Sequence, residues 1–176
     1  MDRLIVGDKM IGKPALTIIL GALFLAISSV AGAAEAGKCG ANLVCAGAPQ
    51  TIVDGLLAAG YKAKLTKDSV GDPKIESAAN GYDFSVYFYG CKQGGNCTSI
   101  QFQIGFADDG KNTLELANTW NRDKRFIKMA VAKDDGLSVS YDVTTLGGLT
   151  PENFADVIDW WAVMLGELNA YFKAQG

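Results

Sequence analysis

The chain has 176 residues, of which 49% are hydrophobic and 20% are charged, and it contains no histidine. This composition is that of an ordinary globular domain and lies outside the disordered and low-complexity classes. The lack of histidine argues against the usual serine and cysteine triads, histidine metal sites and the commonest general base. The formal net charge of −3 argues against a nucleic-acid partner, which would require a concentrated basic surface.

The N-terminal segment has the features of a secretory signal peptide. Three basic residues are followed by an apolar run and then by small residues: Arg3, Lys9 and Lys13, then Ala15 to Val30, then residues 31–34. We therefore predict a signal peptide over residues 1–33 and an exported protein, periplasmic or secreted, with a net charge of about −4. An uncleaved membrane anchor is the alternative, but a spanning helix needs about 20 apolar residues, and Gly21 interrupts this shorter run. After cleavage we expect no membrane association.

All four cysteines lie beyond this leader and form two pairs of equal spacing, Cys39 with Cys45 and Cys91 with Cys97. An exported chain is expected to hold them as disulfides. Cys91 and Cys97 flank a polar, glycine-containing loop between two strand-like runs, so we predict a bond across a hairpin. The Cys39–Cys45 bond follows by elimination among the three connectivities open to four cysteines. A four-thiolate zinc site is the alternative, but zinc ligand pairs favour closer spacing.

The first half of the mature chain begins with a predicted amphipathic helix over Pro49–Gly60, which has apolar residues at helical spacing and glycine at its end. Short strands near Tyr61–Thr66 and Lys74–Ala79 follow, and Asn80-Gly81 then predicts a hairpin turn. Strict alternation of apolar and polar residues next predicts two longer strands, one from Tyr82 and one through Ile100–Phe106. These two strands are expected to form the centre of an antiparallel sheet.

The second half starts with a predicted helix over Leu114–Trp120. Two strand candidates follow, Phe126–Ala132 and Leu137–Val143, and the Asp-Gly between them supplies a tight hairpin turn. Thr150-Pro151 begins the final helix, since it offers a cap residue followed by proline at the first helical position. The apolar stripe of this helix runs to Phe172, so we expect it to be the main core helix.

The pattern as a whole predicts an α+β fold, in which helices pack against an antiparallel sheet of about five strands in the order α-β-β-β-α-β-β-α. The predicted organisation is a signal peptide, a disulfide-containing N-terminal segment over residues 34–50 and an α+β domain over residues 51–176. No composition shift or linker divides that domain further.

Two acidic pairs are the carboxylates that an enzyme would draw on, Asp108-Asp109 and Asp134-Asp135. Each pair precedes glycine in a turn-like setting, where carboxylates cap the backbone and face water. We therefore predict turns here, and we expect no catalytic residues, metal or cofactor. An exported hydrolase that uses carboxylates in a cleft is the alternative.

The most unusual local sequence is the charged segment from Trp120 to Phe126, where a predicted helix gives way to a strand. Because Arg and Trp are common anchors in binding surfaces, Trp120, Arg122, Arg125 and Trp160 are the candidates for contact with a partner. The favoured interpretation of the segment is nevertheless a helix end, whose basic residues complement the helix dipole while Trp120 and Phe126 pack inward.

Three parts of the chain resemble the YbjN-like family of bacterial proteins: the long hairpin from Gly81 to Phe106, the stretch Ala117–Phe126 with its Trp-Asn-Arg-Asp-Lys-Arg-Phe sequence, and the tryptophan-containing helix over Asn153–Phe172. The resemblance implies a fold like that of the type III secretion chaperones and a role in sensory transduction regulation. The family offers no established catalytic residues to carry over. The export leader and paired cysteines depart from a cytoplasmic regulator, so we expect an exported, non-enzymatic adaptor that binds a protein or peptide, with a homodimer also compatible.

Overall fold

A computed structural model of the chain describes residues 39–134 and 136–175. The predicted signal peptide, residues 1–33, lies outside these ranges. Within them the chain forms the following helices and strands: α1 (Pro49–Ala58), β1 (Lys64–Lys67), β2 (Pro73–Ala79), β3 (Tyr82–Tyr89), β4 (Ser99–Phe106), α2 (Leu114–Asp123), β5 (Lys128–Val131), β6 (Leu137–Thr144) and α3 (Pro151–Gln175). No helix in this part of the chain has the length and apolar character needed to cross a membrane.

The strands form an antiparallel sheet with the spatial order β1-β2-β3-β4-β6-β5. The α+β class is therefore confirmed, but the described sheet has six strands instead of about five, and four of them precede α2 instead of three. The short strand predicted near Tyr61–Thr66 corresponds to β1, which begins later, is mostly exposed and lacks alternating buried side chains. Its extended conformation is set by pairing with β2, where Leu65 lies opposite Ile75.

The central strands divide their side chains between a core face and an open face, as their alternation predicts. Phe84, Val86 and Phe88 are buried on the core face of β3. Val86 lies opposite Phe102 of β4, which is buried on the same face. One face of the sheet is thus a continuous apolar surface against which the helices pack.

Helix α3 supplies much of the core that covers this surface. Its first turn is capped by Thr150, whose Oγ1 accepts a hydrogen bond from the backbone N–H of Asn153 at 3.2 Å. One side of the helix is buried: Phe154, Ile158, Trp161, Met164, Leu165 and Leu168. Trp161 packs against Phe84 and Phe102, with ring centroids 5.4 Å apart in both contacts. The prediction that this helix forms the main core is confirmed.

Residues with positive φ mark where strands turn or end. Asn80 and Gly81 have φ values of 50° and 84°, as a tight hairpin between β2 and β3 requires. The strand predicted over 126–132 begins later, at Lys128. Phe126 has a φ of 67°, which is incompatible with extended backbone, so it lies in the connection before β5.

Both predicted disulfides are present, Cys39–Cys45 and Cys91–Cys97, which leaves no free thiolate for the zinc alternative. The two disulfide-bonded segments are connected by Thr145, which is buried. Its Oγ1 accepts a hydrogen bond of 2.9 Å from the backbone N–H of Ala46 and donates one of 3.2 Å to the carbonyl oxygen of Thr98. One buried hydroxyl therefore joins the N-terminal segment to the hairpin of β3 and β4.

Candidate functional site

Trp120 is not a surface residue and packs inward, as the helix-end interpretation of its segment predicts. Its side chain is fully buried. Its Nε1 donates a hydrogen bond of 3.0 Å to the carbonyl oxygen of Ile127, and its ring packs against Tyr171. The helical spacing that buries Ala117 also turns Trp120 inward. Trp120 therefore positions the chain that follows α2.

Arg122 is exposed, as expected of a partner contact, but it forms a local ion pair. Its Nε lies 3.0 Å from Oδ1 of the adjacent Asp123. The hydrogen bond and the negative charge of Asp123 raise the pKa of Arg122. Among the described residues the structure does not bring Arg122 against Trp160, so these two candidates do not form one site.

The connection after α2 contains a strained turn centred on Phe126. The φ of Phe126 is 67°, and the N–H of Ile127 donates a hydrogen bond of 2.8 Å to the carbonyl oxygen of Arg125. A positive φ combined with a hydrogen bond between residues two apart is typical of the rarer, strained form of γ-turn. For a bulky aromatic residue this conformation costs about 1–3 kcal/mol. The surrounding structure must enforce it.

The turn places the ring of Phe126 on Trp160 of α3. The two ring centroids are 4.5 Å apart, and the ring of Tyr141 lies 6.0 Å from Phe126. The guanidinium of Arg125 lies over the Phe126 ring, 4.9 Å from its centroid. Aromatic and cation–π contacts of this kind contribute about 0.5–1.5 kcal/mol each, which offsets part of the backbone strain.

This cluster is partly open to solvent. We call Arg125, Phe126, Tyr141, Trp160 and Val163 the aromatic patch. Phe126 is 38% exposed, Trp160 37% and Val163 47%. Val163 lies one helical turn after Trp160, so both side chains lie on the same side of α3. Large aromatic side chains that stay half exposed beside an arginine are typical of anchor positions in binding surfaces.

Arg125 differs from the other cations of the segment 122–128. Each of those others lies within salt-bridge distance of a carboxylate: Arg122 of Asp123, Lys124 of Glu167, and Lys128 of Asp142. In the part of the chain that the structure describes, Arg125 has no such partner, and its guanidinium lies on an aromatic ring instead. It is therefore available to a carboxylate of another molecule.

Tyr141 is the member of the patch that the sequence analysis did not identify. It lies in β6 opposite Phe102, on the core face of the sheet, and the two rings stack with centroids 6.2 Å apart. Burial, with a contribution from the charge of Asp156, raises the pKa of Tyr141. Alternation with Val139 and Val143 was a signal that Tyr141 faces inward, but its contact with Phe126 depends on the turn.

The carboxylates considered for a hydrolase serve turns. Asp108 accepts a hydrogen bond from the N–H of Gly110, and Asp109 accepts one from Lys111. Asp134 accepts one from Gly136, whereas Asp135 lies outside the described residues. The turn prediction is confirmed for these three aspartates. Within the same ranges, no group of three or more potential ligand residues is arranged to hold a metal ion.

Comparison with known families gives one match over most of the chain. The YbjN family model, described as "Putative bacterial sensory transduction regulator", matches residues 49–173. The match includes α1, α2, the six strands, all of α3 except its last two residues, and the whole aromatic patch. No curated protein matches the chain.

Proposed function

Because the chain belongs to the YbjN family, we propose that it is an exported, non-enzymatic regulator that binds a protein or peptide partner through the aromatic patch. The family supports a regulatory or adaptor role in general terms. Export and partner binding are the specific additions, and each has its own support and its own test.

The observation that carries partner binding is the strained turn at Phe126. Strain of this kind persists only where the fold over-determines it, and it concentrates at binding and switch sites. Here it holds an aromatic ring half exposed on Trp160, next to an arginine that lacks a carboxylate partner among the described residues. A purely structural turn would be better served by glycine or asparagine, which tolerate positive φ at little cost.

Site-specific photo-crosslinking in cells tests the patch. A photoreactive amino acid at Val163 should give a discrete adduct, while the same amino acid at Val70 should not, since Val70 is 79% exposed but lies between β1 and β2. The adduct at 163 should disappear in Phe126→Asn, which removes the ring while keeping a residue that accepts the backbone conformation. Equal adducts at both positions, or an adduct at 163 that survives Phe126→Asn, would contradict the proposal.

Export is supported by the leader over residues 1–33 and by the two disulfides, which persist in oxidising compartments. The test is the intact mass of protein taken from the periplasm without reductant, before and after alkylation under denaturing conditions. We expect a chain that starts near Ala34 and has no alkylatable thiol. A full-length chain with four reactive thiols would show that the protein is not exported.

A further inference from the structure

A second feature of the molecule is a cavity of about 650 Å³ between the end of β4, the first half of α2 and the end of α3. None of its lining residues belongs to the aromatic patch. Its volume lies within the range of small-molecule sites, roughly 300–1,000 Å³. We propose that this cavity binds a small organic cation with an aromatic or apolar body, a role that goes beyond partner binding.

The apolar wall of the cavity is aromatic. Phe106 at the end of β4 meets Phe172 of α3 edge to face, with ring centroids 5.3 Å apart. Tyr171 lies beside Phe172, and Leu116 of α2 completes this wall. All four side chains are only partly buried, so they leave apolar surface for a ligand. Aromatic faces attract cations more strongly than aliphatic surfaces do.

The wall is held in place before any ligand arrives. The hydroxyl of Tyr171 donates a hydrogen bond of 2.8 Å to the carbonyl oxygen of Leu116. The buried ring of Trp120 packs against the ring of Tyr171, with centroids 5.2 Å apart. Tyr171 is therefore fixed from two sides, and binding requires little ordering of the wall.

The charged lining favours a cation. Asp109 and Glu115 line the cavity, against one cation, Lys111. The positive end of the α2 dipole and the negative end of the α3 dipole both lie here, and their effects oppose each other. The side chains therefore decide the preferred sign, with two carboxylates against one ammonium group.

The test uses the mature, oxidised chain and two probes that share a phenyl ring, benzyltrimethylammonium and 3-phenylpropionate. In titrations followed by amide NMR, the cation should saturate with a dissociation constant of about 1 mM or lower. Its shifts should concentrate at Leu116, Thr119, Tyr171 and Phe172. The anion should bind at least about fivefold more weakly.

Variants of the rim give effects of opposite sign. Glu115→Gln should lower the affinity for benzyltrimethylammonium about threefold or more, and Lys111→Gln should raise that affinity by a similar factor. Glu152→Gln, at the opposite end of α3, is the matched control and should change nothing. The proposal is overturned if the cation does not saturate, if the anion binds as tightly, if the shifts map to the aromatic patch, or if Glu115→Gln binds like the parent. Patch crosslinking is unaffected by these outcomes, so the two proposals fail independently.

Discussion

Replacing Thr145 by valine should destabilise the protein through one buried hydrogen bond. The change keeps the shape of the side chain but substitutes a methyl group for the hydroxyl that accepts from the N–H of Ala46. Ala46 is fully buried, so its N–H cannot form a hydrogen bond with water instead. The carbonyl oxygen of Thr98 keeps the N–H of residue 145 as a donor. The expected cost is that of one orphaned donor, about 1–3 kcal/mol in the free energy of unfolding.

Equilibrium urea unfolding of the oxidised protein measures this cost, with the slope of the transition compared between variants. Thr144→Val is the matched control, because Thr144 is adjacent, exposed and at the end of β6. It should change the free energy of unfolding by less than about 0.5 kcal/mol. Hydrogen exchange at Ala46 should also accelerate in Thr145→Val, since the bond protects that amide. If Thr145→Val is as stable as the control, Thr145 does not hold the two disulfide segments together.

Further predictions concern the buried aromatics and the hairpin disulfide. Trp120→Phe should lower the free energy of unfolding in urea by at least about 1 kcal/mol more than Trp161→Phe does. The reason is that Trp120 loses its hydrogen bond to Ile127, whereas Nε1 of Trp161 is buried with no partner among the described residues. Equal losses would contradict this. Because burial raises the pKa of Tyr141, the folded protein keeps this phenol protonated to a higher pH than the unfolded chain does. The free energy of unfolding should therefore fall as pH rises above about 10. Tyr141→Phe should lose less stability between about pH 9 and 11 in the same assay. Serine at both positions of Cys91–Cys97 should cost about 2 kcal/mol, since the disulfide closes a short loop; a loss of folding by circular dichroism would show a larger role.

Local patterns in the sequence predict much of this fold. Alternation locates β3 and β4, helical spacing with a Thr-Pro start locates α3, and Asn80-Gly81 identifies its hairpin. These features are encoded by neighbouring residues, so they can be read without knowing the tertiary structure. The bounds of the edge strand β1 are different, because they depend on pairing with β2, and the strand predicted near Tyr61–Thr66 begins too early. The Thr145 contacts join residues 99 and 47 positions apart, and no local signal encodes them.

The candidate site was predicted only in part, because some of its features are local in the sequence and others depend on the tertiary structure. The charged segment after Trp120 is unusual in the sequence, and Arg125 and Trp160 do lie in one patch. Helical spacing also places Trp120 inside with Ala117, in agreement with the helix-end interpretation. The sequence could not show that Phe126 has a positive φ, because aromatic residues rarely adopt that conformation. That one backbone angle determines which aromatic residues meet.

The most direct test of the aromatic patch is the affinity of the partner recovered by crosslinking at position 163. Isothermal titration should compare the parent with Phe126→Asn and with Leu146→Asn, a control that alters an exposed apolar residue between β6 and α3. We predict that Phe126→Asn weakens binding at least about tenfold, or about 1.4 kcal/mol, and that Leu146→Asn binds like the parent. Equal affinity of Phe126→Asn and the parent would contradict the assignment of the aromatic patch as the binding surface.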